Sequence, residues 1–372
     1  MANIIDLFSG CGGMSLGFSM AGFKPILAIE KDAWAAETYS YNFNDTTVIV
    51  DDITQLSDLS GLDLDNVEIE GILSGSPCQG FSLSGKRDRN DPRNSLFMEF
   101  VRFVKYFQPK FCLMENVNGI LSMKTLNGFK VKDIVVEEMT KAGYDVTIYR
   151  LNAADFGVPQ SRPRVFFLGF RKDLGITNFE LTPTRLAEPY VTVAEAIMDL
   201  PQIEAKEGSE EMDYTKEPMN EYQKLMRLNS IKVYNHIAMN HSDRIVERFK
   251  HIGIGQSESD VAEEFAPRQR GNAGKVSGKS FHQNSYRPYP DKPSPTIPAS
   301  FQSNFVHPYL NRNYTPREGA RLQSFPDSFV FKGKRMSMSW EKYLNQYHQI
   351  GNAVPPLLAK GIAEQIKGVI YD

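Results

Sequence analysis

Three features of this 372-residue chain predict a doubly wound α/β fold, with a mainly parallel sheet and a second, smaller, loop-rich domain. The first half alternates short apolar runs with amphipathic stretches, the pattern of strands joined by crossover helices. That pattern breaks after about Pro183. Between Arg268 and Arg312 the chain is irregular, basic and aromatic, which suits a folded domain better than a linker, because linkers seldom carry so many aromatics. The length accommodates one large domain and a smaller one, and a hydrophobic content of 41% supports a real core.

The elements follow in order. Ile4 to Phe8 reads as a buried strand and Met14 to Met20 as a helix start. Pro25 to Ile29 is a second strand, with a helix from about Ala33 to Tyr41 behind it. Val48 to Val50 is a third strand, and Ile72-Leu73 ends a fourth. Leu96 to Phe107 has helical spacing, Phe111 to Met114 is a fifth strand, and Val131 to Ala142 is helical. Val146 to Leu151 and Val165 to Phe170 are two further strands, and Leu357 to Ile366 is a final helix. The acidic stretch from Leu200 to Met226 reads as a solvated face or loop. In such sheets ligands sit at the carboxyl ends of the strands.

Composition narrows the function. A net charge of −3 gives no global basic field, so any nucleic-acid surface must be local. Cys11, Cys78 and Cys112 lie far apart and form no CxxC pair, and the six histidines show no ligand spacing. This argues against a disulfide framework and against a metal site. The N-terminus lacks a basic, apolar leader and no stretch is apolar enough to span a membrane, so a reducing cytosol is the expected setting.

The strand ends carry the chemistry. Gly10, Gly12 and Gly13 follow the first strand and let the backbone turn sharply and approach a ligand. Ser15 stands where a strict dinucleotide pattern would need another glycine. Glu30 ends the second strand, where a carboxylate can accept both hydroxyls of a ribose. Asp52 follows the third strand and could accept from an adenine amino group. Either acid alone would pass for a solvated strand end; two on successive strands, behind a glycine turn, favour an adenosyl ligand. No Walker lysine follows the glycines.

The fourth strand leads into Ser74-Gly75-Ser76-Pro77-Cys78-Gln79. A lone cysteine is most often a small buried hydrophobe, but a strand ending in a small-residue turn can also present a thiolate nucleophile. Glu115-Asn116-Val117 ends the fifth strand, and Gln160-Ser161-Arg162-Pro163-Arg164 precedes the last. A thiolate, a proton-exchanging carboxylate and a guanidinium pair suit activation of a pyrimidine ring. Cysteine adds to carbon-6, the carboxyl group protonates nitrogen-3, and Arg164 or Arg162 stabilises the thiolate and holds the base oxygen. The plainer readings are a buried acid paired with arginine for Glu115 and surface charge for the arginines.

These segments resemble the bacterial-type DNA cytosine-5 methyltransferases, nearly end to end and in the family's order. The carrying motifs are Asp6 to Gly13, Gly75 to Ser82, Glu115 to Val117, Gln160 to Arg164, Arg317 to Pro326, and Gly351 to Pro356. The resemblance implies a Rossmann-like fold that uses S-adenosylmethionine, yields S-adenosylhomocysteine and needs no metal. It implies Cys78 as nucleophile, Glu115 as acid, and Arg162 and Arg164 as groups that fix the base and the catalytic site. Phe8, Gly10, Gly12, Gly13, Glu30, Asp52, Ile53, Pro77, Leu96, Asn352 and Val354 would line the cofactor pocket. Residues 79 to about 93 would form a mobile loop, with Gln79, Ser82, Ser84, Lys86 and Arg87 on DNA and Gly80 and Gly85 as hinges. Residues 1–185 and 341–372 would form the catalytic domain. Residues 186–340 would form a target-recognition domain, with Thr296 of Pro295-Thr296-Ile297 on DNA. The target cytosine would be flipped out of the duplex.

The implied partner is double-stranded DNA, with a possible cognate restriction endonuclease. The implied setting is the cytoplasm of a bacterium or a phage host, and a monomer is the default. One departure concerns Lys31, which stands where some relatives carry a tryptophan stacked on the adenine. Other readings fare worse. The related tRNA methyltransferases usually bear a Cys-Phe-Thr tripeptide, and no cysteine follows Cys112. A silent DNA-binding relative would typically lose the nucleophile or the acid. A zinc deaminase needs a second cysteine after Pro77-Cys78 and a His-x-Glu, and neither is present.

Overall fold

The computed structural model describes residues 2–64, 66–76, 96–125, 128–185, 189–269, 272–277, 283–337 and 340–371. The chain divides into two compact units, one of Met1–Phe156, Pro163–Leu186 and Ala353–Asp372, the other of Gly157–Arg162 and Ala187–Asn352. The second unit therefore takes in the segment that carries Arg162, and it runs to Asn352 where the sequence reading drew a line at 340. Among the described residues no helix is long and apolar enough to cross a membrane.

The first unit is built on a seven-stranded sheet. Its strands are β1 (Ala2–Leu7), β2 (Phe23–Ile29), β3 (Thr47–Ile49), β4 (Gly71–Ser74), β5 (Phe111–Asn116), β6 (Tyr144–Asn152) and β7 (Pro163–Arg171). Their order is β3-β2-β1-β4-β5-β7-β6. Only β7 runs against the others, antiparallel to both β5 and β6. The sheet reverses its direction of growth between β1 and β4, which makes their carboxyl ends the natural ligand crevice.

Period-two alternation explains how both faces are covered. Ile5, Leu7, Ile72, Cys112 and Met114 point to one face and join Phe100, Val104, Val135 and Met139 in a single core. These last come from α3 (Leu96–Phe107) and α4 (Val131–Lys141). Phe111 points the other way, and its ring stacks on Phe18 of α1 (Gly13–Met20) with centroids 5.9 Å apart. The C-terminal helix, Pro356–Tyr371, closes against α1 so tightly that a Cβ on Gly17 would lie 2.4 Å from the carbonyl oxygen of Pro356. A Cβ on Gly71 would lie 2.1 Å from the Phe111 ring, so glycine lets β4 lie beside β5. The helix α2 (Ala33–Asn42) starts at Asp32, whose side chain caps the N–H groups of Trp34 and Ala35.

The second unit differs from expectation in its acidic stretch. Gly208–Met212 forms a strand, β8, paired antiparallel with β9 (Val233–Ile237), and Glu221–Arg227 is helical. The side chains of β8 face solvent while β9 buries Val233, Asn235 and His236, so the strand that looks like a loop takes its core from its partner. The unit's interior is highly polar. Arg312, Arg317 and Arg321 have no exposed surface. Arg321 donates from Nε and Nη2 to the Asp327 carboxylate at 2.6 Å and also reaches Asp199. Arg312 makes a bidentate pair with Glu318 at 2.7 and 2.8 Å, and Glu318 closes a capping box with Thr315 at the start of the helix Pro316–Leu322.

Candidate active site

The glycine turn joins β1 to α1. Phe8, Gly10 and Gly12 all have positive φ, at 55°, 54° and 93°. A Cβ on Gly12 would lie 2.6 Å from Phe43 and 2.9 Å from Tyr39, so that position is closed from below. Nothing lies within 4 Å of the place a Cβ on Gly10 would take, so that position faces open space. Glu30, just past β2, accepts from the Gly10 N–H through Oε2 at 2.9 Å and from the Asp32 N–H through Oε1 at 2.8 Å. Burial pushes its carboxyl up, and those two N–H bonds pull the other way. Asp52 caps a short 3₁₀ turn at Ile53–Gln55 by accepting from the N–H and hydroxyl of Thr54. Burial raises the Asp52 carboxyl, and the Thr54 bonds more than reverse that. Lys31 Nζ stands 4.0 Å from Asp52, an exposed pair of little energetic weight. Ile53 and Leu96 are buried. The strand ends thus offer one open glycine position and two carboxylates on successive strands.

Beneath the turn lies a group absent from the sequence-based set. Asp6 is 1% exposed and accepts from the Ser15 hydroxyl at 2.6 Å, and Ser15 in turn accepts from the Tyr39 hydroxyl at 2.7 Å. Burial and the nearby Glu30 charge push the Asp6 carboxyl up to about 7, and the Ser15 bond partly opposes them. The same burial pushes the Cys11 thiol up to about 12, so this turn cysteine is no nucleophile at neutral pH.

The second cluster is at the ends of β4, β5 and β7. Glu115 on β5 pairs with Arg164 on β7, Oε1 to Nε 3.0 Å, and both side chains are mostly buried. This pairing follows from register, since Glu115 lies opposite Phe166 and Asn116 opposite Val165 across the antiparallel ladder. Burial lowers the Arg164 guanidinium's affinity for its proton, and Glu115 counters that. Asn116 donates from Nδ2 to the Ser76 carbonyl at 3.1 Å, fixing the backbone immediately before Pro77-Cys78. Ser74 and Ser76 are hydrogen-bonded at 3.0 Å, and both are buried. Pro77, Cys78, Gln79, Ser82, Ser84, Lys86 and Arg87 lie outside the described residues.

Arg162 belongs to the second unit and has different partners from Arg164. Its guanidinium is 2% exposed, and Nη1 and Nη2 donate to the main-chain carbonyls of Ile297 and Gly351, each at 2.8 Å. Gln160 beside it accepts from the Ile297 N–H and donates to the Leu322 carbonyl and to Gln323. Gln323 donates onward to the Ile350 carbonyl. Thr296 donates its hydroxyl to the Ser161 carbonyl at 2.8 Å. Gln160, Arg162 and Gln323 therefore bind together four segments that are far apart in sequence, around residues 160–162, 297, 322–323 and 350–351. Gln160 and Gln323 lie inside recognisable motifs, so the signal was present, but a glutamine carries no charge or reactivity that suggests a role. Asn352 is exposed and Val354 buried. Among the described residues no group of three or more histidines, cysteines or acids could hold a metal ion.

Comparison with known proteins fits these features. Residues 2–368 match the family model for C-5 cytosine-specific DNA methylases. The chain is 58% identical over 366 residues to the type II methyltransferase M.DdeI of Desulfomicrobium norvegicum, covering 98% of this chain and 88% of that one. It is 40% identical to the type II methyltransferase M1.HphI of Haemophilus parahaemolyticus, covering 97% and 86%. Among solved structures, one described as a candidate DNA modification methyltransferase from an E. coli prophage superposes over the full length of both chains with a TM-score of 0.78 at 28% identity. A Spodoptera frugiperda DNMT2 shares the fold, with a TM-score of 0.59 at 17% identity over both full chains. With a match that runs almost the whole length of the sequence, the chain belongs to the C-5 cytosine-specific DNA methylase family.

Proposed function

We propose that this chain is a sequence-specific DNA methyltransferase that uses S-adenosylmethionine, and that Cys78 is its nucleophile. The observation that carries the reading is the Glu115–Arg164 pair on strand ends next to Ser76, whose carbonyl Asn116 holds two residues before Cys78. For the cofactor, the supporting features are the open Gly10 position and the acceptors Glu30 and Asp52, a donor–acceptor set that suits an adenosyl group with two ribose hydroxyls and an adenine amine. Phe8, Gly12, Gly13, Ile53, Pro77, Leu96, Asn352 and Val354 complete the proposed pocket. When bound, S-adenosylmethionine supplies an electrophilic methyl group.

The residues divide the work as follows. The Cys78 thiolate adds to carbon-6 of a flipped cytosine while Glu115 delivers a proton to nitrogen-3, leaving carbon-5 nucleophilic. Arg164 keeps the Glu115 carboxyl group oriented through the 3.0 Å pair. After methyl transfer, loss of the carbon-5 proton to a base breaks the bond between carbon-6 and the Cys78 sulfur. Both terminal nitrogens of Arg162 are spent on main-chain carbonyls, so we assign it to holding the backbone and Arg164 to the catalytic carboxylate. Gln79, Ser82, Ser84, Lys86, Arg87 and Thr296 would contact DNA, and residues 186–340 would read the target sequence. The type II names of the relatives suggest a restriction endonuclease with the same target.

Cys78→Ser should abolish methyl transfer to duplex DNA while S-adenosylhomocysteine binding, followed by calorimetry, survives. Undiminished transfer by the variant would sink the assignment. Bisulfite sequencing of DNA from a host expressing the wild-type chain reports the target sequence in the same experiment.

A further inference from the structure

We infer that Tyr39 is a positioning residue for the cofactor site, acting on the glycine turn through Ser15 and through its ring beneath Gly12. The inference rests on the S-adenosylmethionine reading above. Three elements meet here. Asp6 comes from β1, Ser15 from the first turn of α1, and Tyr39 from the middle of α2. Tyr39 donates to Ser15 and Ser15 to Asp6, and none of the three is more than 1% exposed. The Tyr39 ring packs against Phe43 with centroids 4.4 Å apart, and both rings fill the space a Cβ on Gly12 would need. The same helix is tied to the turn at its other end, where Glu30 accepts from both Gly10 and Asp32. So α2 grips the turn at two points, one of them the carboxylate proposed to bind ribose. If Tyr39 lets go, Ser15 keeps its bond to Asp6 but loses the donor behind it, and α2 keeps its hold on the turn through the Glu30 end and the Phe43 ring.

The chain of donors ends on a carboxylate, which makes it pH-dependent. Among the described residues the Asp6 Oδ1 atom has no hydrogen-bond partner, and Ser15, backed by Tyr39, donates its hydroxyl to Oδ2. A bond to the ionised carboxylate is stronger than one to the neutral acid. Asp6 is pushed up to about 7, so the grip is strongest above pH 7 and weakens as pH falls through that value. The titratable groups facing Asp6 are Glu30 at the end of β2, the Cys11 thiol in the turn, and Tyr39 itself. Without the Tyr39 hydroxyl, Ser15 is a weaker donor, so the Asp6 carboxyl rises further.

The test uses calorimetric binding of S-adenosylhomocysteine to the full-length chain, with Tyr39→Phe, Ser15→Ala and the double variant. At pH 8 each single variant should bind roughly 3–10-fold more weakly, the range expected for one net hydrogen bond. The double variant should bind no more weakly than Ser15→Ala alone, because both changes break one chain. The acid-side decline in affinity should move to higher pH in Tyr39→Phe. Should that variant fail to fold, the loss and the pH shift are read from Ser15→Ala. Wild-type affinity in Tyr39→Phe, or losses that multiply in the double variant, would overturn the inference. If wild-type protein fails to bind S-adenosylhomocysteine, the cofactor reading falls and the inference falls with it.

Discussion

Glu318→Gln isolates the contribution of one buried charge to the second unit. The Glu318 side chain accepts from Arg312 through both oxygens, from the Thr315 N–H at 2.8 Å, and faces His307 Nε2 at 3.6 Å. Glutamine matches its shape but replaces one oxygen with a donor. That amide N–H₂ would meet an Arg312 N–H in place of an acceptor, and the guanidinium, with no exposed surface, would lose its counter-charge. Stripping one partner from a buried pair costs about 3–5 kcal/mol, a large share of a stability of about 5–15 kcal/mol.

The pH dependence gives an independent sign. Burial alone would raise the Glu318 carboxyl, but Arg312 and His307 hold it far below its ordinary 4.5. A carboxyl depressed in the folded state contributes fully above its unfolded value and progressively less as pH falls below it. The stability gap between wild type and variant should therefore shrink by about 1 kcal/mol between pH 6 and pH 4. Burial holds His236 and His307 down, at about 4 and about 3, against the raising pull of Glu318; without that pull both fall further in the variant, so neither histidine charges more readily there. Urea unfolding followed by circular dichroism at both pH values measures the gap. A loss under 1 kcal/mol at neutral pH, or a gap that widens on acidification, would refute the reasoning.

Three further outcomes follow from burial and backbone geometry. Gly12→Ala should weaken S-adenosylhomocysteine binding at least tenfold, about 1.4 kcal/mol, because φ is +93° and a Cβ would meet Phe43 at 2.6 Å; calorimetry showing a change under twofold would contradict this. Of the three cysteines, Cys11 and Cys112 are buried with thiols pushed well up, so at pH 8 iodoacetamide should label a single fast thiol per chain, and Cys78→Ser should remove it. Arg287 is 5% exposed and donates to the carbonyls of Phe249, Ile252, His307 and Leu310, so Arg287→Met should lower the melting temperature by several degrees while the slope of log K for DNA against log salt stays unchanged. A slope smaller by about one would instead place that charge on a phosphate.

The first unit was readable because its strands are short, apolar and terminate in chemistry. Gly10, Glu30, Asp52, Glu115 and Arg164 all lie at or just beyond strand ends, where a parallel sheet collects its ligands. Strand direction was less readable. Periodicity marks Val165 to Phe170 as a strand but cannot say that β7 runs backwards, and that reversal is what sets Arg164 beside Glu115. The Asp6–Ser15–Tyr39 chain was equally hidden, because a serine on a helix and a tyrosine 24 positions later share no spacing rule.

The second unit resisted reading for a different reason: its core is polar, and charge is ordinarily a mark of surface. The run from Arg268 to Arg312 reads as basic and aromatic, yet Arg287 and Arg312 face inward onto carbonyls and a carboxylate. Their charges are already committed and cannot release counterions from DNA. The same run keeps Lys275 and Lys292 exposed, with Lys292 Nζ 4.3 Å from the centre of the Tyr289 ring. A lysine that leaves its ammonium in solvent while an aromatic ring confines it is a better phosphate contact than a buried guanidinium. Among the described residues of this run, Arg287 and Arg312 thus shape the unit, while Lys275 and Lys292 keep their charges exposed.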